Sequence, residues 1–252
     1  MSLIVAVCVP TGIVMSGDSR TSVMAHRPNA APASAPASVD PLAPEPTPPI
    51  LDMPPTPQPA PYWIQTGLIV SDSTYKVIDL YKRYGVSTCG ASYVDGMPIA
   101  HHIEVFQFKN VNAPETVNAL SEALLIFFRA MVPIPNIFFH VTGYVGEEPW
   151  IVVIDVSAGT FSRLNSTALK YGAWWNGDTA IAGRLAAGTN ASIDCSALNV
   201  QDAVDLSRHL IRTTIDQMRF ELSFPTVGGP TDTLLVTPKV AEFLKRKELT
   251  CT

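Results

Sequence analysis

The 252-residue chain is predicted to fold as an α+β layered sandwich, with two sheets in the middle and pairs of helices outside. The order of its periodic segments carries this reading. Strand-like runs come in groups, two helical stretches follow each group, and a last strand closes the chain. A doubly wound parallel sheet would alternate strand with helix one by one. Hydrophobic residues make up 47% of the chain and charged residues 15%, ample for a sizeable core in a length that fits one large domain or two small ones.

The elements follow in order. Leu3 to Val9 and Ile13 to Ser16 are β-branched runs around Pro10-Thr11-Gly12, the pattern of a hairpin. Gly67 to Val70, Lys76 to Leu80 and Tyr84 to Ala91 are three more strand-like pieces. Val94 to Phe108 carries apolar residues at Ile99, Ile103 and Phe106, a helical spacing. Pro114 opens a second helix reaching Met131, because proline at the first turn lacks an N–H that the helix does not need. Ile137 to Tyr144 and Trp150 to Val156 flank the turn Gly146-Glu147-Glu148-Pro149, and Thr160 to Leu164 adds a short strand. Asp178 to Ala187 and Val200 to Leu222 are helical, the latter with Ala203, Leu206, Leu210, Ile211 and Ile215 on one stripe. Thr231 to Thr237, after Gly228-Gly229-Pro230, is the closing strand.

One segment interrupts this order. Thirteen prolines lie between Arg27 and Pro61, among Ala, Ser and Thr, with Asp40, Glu45 and Asp52 as the only acids. Such a composition lacks backbone donors and cannot bury enough apolar area to offset its ordering entropy. Residues 27–66 therefore read as an extended, disordered insertion of polyproline character between two strands, with a docking segment for a proline-recognising partner as the second reading.

Composition excludes several function classes. The net charge is −5 and the basic residues are scattered, which leaves no footprint for nucleic acid. The opening apolar run is too short for a membrane span and wrongly flanked for a signal peptide. Cys8, Cys89, Cys195 and Cys251 have no C-x-x-C spacing, so neither a zinc site nor a disulfide framework is expected, and a reducing, cytoplasmic compartment follows. His101-His102 cannot easily share an ion, since adjacent helical residues point about 100° apart. No metal or other cofactor is expected. The Asn-x-Ser/Thr sequons at Asn165 and Asn190 read as chance matches.

The chemistry-bearing residues cluster at the start. Removal of Met1 would place a free amine and a hydroxyl together on Ser2, a nucleophile with its own general base. An α-amine titrates at about 7.7 to 8.0, so it can accept the hydroxyl proton near neutrality. Ser2-Leu-Ile-Val-Ala-Val, then Thr11-Gly-Ile-Val-Met-Ser-Gly-Asp18-Ser-Arg20-Thr, resembles the opening of proteasome β-subunits and of the Anbu-type bacterial relatives. After the insertion, Ile69-Val-Ser-Asp-Ser-Thr-Tyr-Lys76-Val resembles the segment that delivers the family's lysine, and Cys89-Gly90-Ala91 the strand end whose glycine amide faces the oxyanion.

The resemblance implies a four-layer αββα sandwich of the N-terminal-nucleophile (Ntn) hydrolase type. It also implies an acyl-enzyme mechanism on a peptide or protein substrate, in a homo-oligomeric ring or helical stack. In it Ser2 attacks, Lys76 lowers the amine's pKa, Asp18 pairs with Lys76, Arg20 braces the cluster and Gly90 supplies the oxyanion N–H. Asn176, in Trp175-Asn176-Gly177-Asp178, stands where the family has a serine that orients the amino terminus, and Asp178 reads as a helix N-cap. The family's late acid is missing, since Phe224-Pro-Thr-Val227 precedes Gly228-Gly229, with Asp216 or Glu221 as possible substitutes. Two other readings accompany the peptidase: a small-molecule amidase or transpeptidase of the same superfamily, and a catalytically silent scaffold subunit.

Overall fold

The computed structural model describes residues 2–25, 66–187 and 193–247. The proline-rich insertion falls almost wholly outside them, as do Met1, Asn190 and Cys251. The first half carries β1 (Leu3–Val9), β2 (Gly12–Gly17), β3 (Thr21–Ala25), β4 (Thr66–Ser71), β5 (Val77–Leu80), β6 (Tyr84–Gly90), β7 (Tyr93–Val94), β8 (Met97–Pro98), α1 (Ile99–Lys109) and α2 (Val117–Arg129). The second half carries β9 (Ile137–Val145), β10 (Glu148–Asp155), β11 (Thr160–Arg163), β12 (Gly172–Gly177), α3 (Ala180–Ala187), α4 (Val200–Met218), β13 (Asp232–Val236) and β14 (Ala241–Lys245). The described chain is thus mixed α and β, with its strands in antiparallel sheets.

Two sheets of five strands dominate, ordered β12-β1-β2-β13-β14 and β11-β10-β9-β6-β5. In both, every neighbouring pair is antiparallel. All of β1 and β2 is buried, and their mostly apolar sequences do not alternate, as expected of strands covered on both faces. Three apolar clusters show what covers each face. Leu120, Leu124 and Phe128 of α2, with Ile103 and Phe106 of α1, pack on Phe139 and Val141 of β9 and Val152 and Ile154 of β10. Leu210 and Ile211 of α4 and Ile181 of α3 pack on Leu3, Val5 and Val7 of β1. Between the sheets lie Ala6, Ile13 and Met15 from one and Val77, Tyr144 and Ile151 from the other.

Where the elements differ from expectation, a local cause is visible. The helix anticipated from Val94 starts at Ile99, because Asp95 and Gly96, both at positive φ, turn β7 back onto β8. An Asp-Gly pair is a strong hairpin signal, and here it outweighs the apolar spacing. The helix expected from Pro114 begins at Val117, where the Thr116 side chain caps the Ala119 N–H. Helix α4 stops at Met218 and not at Leu222, and beyond it Phe220 and Leu222 are exposed, off the stripe that faces the sheet. Strands β3, β12 and β14 were not anticipated. Each is short or sits at a sheet edge, where pairing with a neighbour, more than the segment's own pattern, makes a strand. Asn165 is fully buried, its amide joined to the Ile151 N–H and the Pro149 carbonyl, so the folded chain presents no glycan acceptor there. Among the described residues no helix is long and apolar enough to cross a membrane.

After β14 the chain turns inward at Lys247, whose ammonium and the Asp232 carboxylate form an ion pair with both side chains 1% exposed. Removing one partner of a buried pair leaves an uncompensated charge and costs about 3 to 5 kcal/mol. Asp232→Ala is therefore expected to lower unfolding free energy by about that amount. Lys82→Ala, which cuts the exposed pair with Asp79, should cost under about 1 kcal/mol. Urea titration of both variants checks the contrast, and equal losses would contradict it.

Candidate active site

Four chain segments converge on one carboxylate. Asp18 follows directly on β2, and antiparallel pairing of β1 with β2 brings it beside the start of β1. Its Oδ1 accepts the Leu3 N–H at 2.9 Å and the Lys76 ammonium at 2.8 Å. Its Oδ2 accepts the N–H groups of Arg20 at 3.1 Å and Gly228 at 3.0 Å. Lys76 sits just before β5 and also donates to the Arg20 carbonyl. The two side chains are 3% and 0% exposed. Burial pulls the Lys76 pKa below the ordinary lysine value, and the Asp18 carboxylate beside it opposes that pull.

Ser2 lies one residue before the Leu3 N–H that Asp18 holds, and it is 1% exposed. Its carbonyl accepts the Asp178 N–H at 2.7 Å. Gly177 makes that approach feasible: its φ is +106°, and a Cβ there would run into the Ser2 carbonyl. Gly90, at the end of β6, has a similar constraint, with φ +103° and a would-be Cβ colliding with the Asn136 carbonyl. Ser2, Lys76 and Gly90 line one small cavity with Thr74, Thr88 and Ser92. Its volume of about 10 Å³ is near the size that holds one water.

Ser2, Asp18, Lys76 and Gly90 are thus brought together. Arg20 joins the cluster through its backbone. Its guanidinium turns away and forks onto Asp72 at 2.7 and 2.8 Å, which holds the Asp72 carboxyl below the usual range. The expected orienting role of Asn176 is not borne by its side chain, whose Oδ1 meets His140 Nε2 at 2.6 Å between the sheets. The cause is strand alternation: Asn176 pairs in register with Ile4, and its side chain points off the sheet and away from the chain start.

Two partners of the cluster were not found by sequence. Thr226 donates its hydroxyl to Asp178 Oδ2 at 2.7 Å, so a carboxylate does reach the segment before Gly228, supplied from the far side of β12. Asp178 stands two residues before α3, one position ahead of its N-cap, so the expected cap is replaced by this contact with Thr226. Asp216 and Glu221 do not substitute, since they face Arg212 and Arg184 at the surface. The signal available was the hydroxyl of Thr226, in the segment where an acid was sought. The second is Lys247, whose ammonium donates to Ser19 Oγ at 3.0 Å and the Thr74 carbonyl at 2.9 Å besides Asp232. It ties together the residues next to Asp18 and near Lys76.

His140 is fully buried, and burial pulls its pKa down to about 4, partly opposed by the Asn176 hydrogen bond. The unfolded chain titrates this group at about 6.5, so between pH 6.5 and 4 it binds a proton that the folded chain refuses. Stability is then full above pH 6.5 and falls as pH drops through that window. His140→Gln should flatten the slope of unfolding free energy across it. A slope identical to wild type would remove His140 as its cause.

Neither the scan of family models nor the search of curated proteins finds a match to this chain.

Proposed function

We propose that this protein is a proteasome-like Ntn hydrolase that cleaves amide bonds through Ser2, and that its two five-stranded sheets with helices packed outside are the αββα sandwich of that class. The supporting observation is that Asp18 Oδ1 holds the Lys76 ammonium and the Leu3 N–H together, at the doorstep of Ser2. Once Ser2 begins the mature chain, its α-amine accepts the hydroxyl proton while Oγ attacks the substrate carbonyl carbon. The buried Lys76 cation keeps that amine neutral and favours the developing alkoxide, and Asp18 anchors the cation.

The Gly90 amide stabilises the oxyanion of the tetrahedral intermediate, at a strand end whose positive φ and close approach to the Asn136 carbonyl only glycine tolerates. Collapse breaks the C–N bond, the leaving amine takes the proton from the Ser2 ammonium, and water then hydrolyses the ester. Thr226 and Asp178 hold the Ser2 carbonyl segment from the other side. A homo-oligomeric assembly and a peptide substrate complete the reading, and the free, buried thiols of Cys8, Cys89 and Cys195 accord with a reducing compartment.

Intact mass and N-terminal sequencing, followed by labelling with a β-lactone probe, test this. Ser2 is expected at the mature N-terminus and as the labelled residue, with Ser2→Ala unlabelled. Lys76→Met should slow labelling by about 10² to 10³-fold, the usual worth of one group that stabilises developing charge, with the fold checked by circular dichroism. A mature chain that retains residues before Ser2, or equal labelling of Ser2→Ala, refutes the proposal.

A further inference from the structure

Outside this cluster, the described residues form one wide cleft with a distinct charge. It lies between the outer face of α4 and the segment Gly229-Pro230-Thr231, with Lys245 at the end of β14 on its rim. Its volume is about 480 Å³, within the range of about 300 to 1,000 Å³ typical of small-molecule sites. Arg208 and Arg212, one helical turn apart, both face it, so two guanidinium groups converge from one helix and one ammonium from the opposite wall. His209 also lines it. The acids nearby are Asp205, in the wall and bonded to Gln201, and Asp216, 3.9 Å from Arg212.

The cations outnumber these acids in a chain whose net charge is −5. Arg208 is partly buried, and its Nε donates to Thr233 Oγ1 at 3.1 Å, which holds the guanidinium against the cleft and leaves its two terminal nitrogens free of that bond. Arg212 is 86% exposed and its contact to Asp216 is long, so little holds it back from an incoming anion. Planar guanidinium forks match the spacing of phosphate oxygens. Ile215 and Pro230 supply an apolar wall, and the volume exceeds what a bare phosphate fills.

We infer that this cleft binds a small organic phosphate, its phosphate groups against Arg208, Arg212 and Lys245 and its organic body against Ile215 and Pro230. The site is separate from Ser2 and independent of the hydrolase reading.

The test is isothermal titration with ATP and, separately, with inorganic pyrophosphate, on the full chain in EDTA at low ionic strength. ATP is expected to bind once per chain and more tightly than pyrophosphate, and to weaken as salt rises toward physiological strength. Arg212→Ala combined with Lys245→Ala removes two exposed side chains, so the fold should persist with an unchanged Tm, while ATP affinity falls at least tenfold. Lys82→Ala, an exposed cation elsewhere, should leave affinity unchanged. Absence of ATP binding, wild-type affinity in the double variant, or an equal loss in Lys82→Ala overturns the site. Pyrophosphate binding as tight as ATP overturns the role of the apolar wall.

Discussion

A carboxylate with no access to water holds the candidate site together. Taking such a group out of water costs several kcal/mol, and only good geometry with a full set of donors offsets that. Asp18 has them: one ammonium and three backbone N–H groups, from Leu3, Arg20, Lys76 and Gly228. These donors lie in four separate stretches of chain. The start of β1, the end of β2, the approach to β5 and the loop before β13 can therefore not drift apart without stranding a buried charge. A rigid donor set of this kind is what pre-organised chemistry needs, because the groups are in place before a substrate arrives.

Next to it stands a second buried pair, Lys247 with Asp232, reached from the other end of the chain. Burial lowers the proton affinity of both ammonium groups, with a smaller push from Lys247 on Lys76 and from Arg246 on Lys247, and each has its own carboxylate to oppose that. Lys247 also bonds Ser19 and Thr74, which are neighbours of Asp18 and Lys76 in the chain. The segment after β14 thus acts as a clamp on the residues that carry the first pair. Its aromatic cover, Tyr75 with the Lys247 ammonium 4.2 Å from its ring centroid, completes the exclusion of water.

Between the sheets the interior is not purely apolar. His140 meets Asn176 across the two sheets, Thr142 meets Met15, and on the outer face of β2 Ser16 meets Ser207 of α4. Each bond links elements far apart in sequence. Buried polar contacts of this sort contribute little net free energy but penalise every alternative register, in which the same groups would be left unpaired. They define how the layers face one another, while the Leu, Ile, Val and Phe clusters supply most of the driving force.

Residue order alone determined the long elements and the front of the site. Apolar and β-branched runs marked β1, β2 and β9, a hydroxyl beside its own amine marked Ser2, and segments that resemble those of one family marked Asp18, Lys76 and Gly90, which the structure gathers in one place. Those signals are local, since they rest on period, on turn residues and on a nucleophile beside its own amine. Tertiary structure alone decided the rest. Strands β3, β12 and β14 exist through their pairing partners, the Asn176 side chain went to His140 by strand alternation, and the Arg20 guanidinium went to Asp72. The carboxylate behind Thr226 and the ammonium of Lys247 come from positions 48 and 228 residues away from the groups they bind. Sequence period carries no information about contacts at such separation, because a side chain's partner is fixed by which surfaces meet when the layers close.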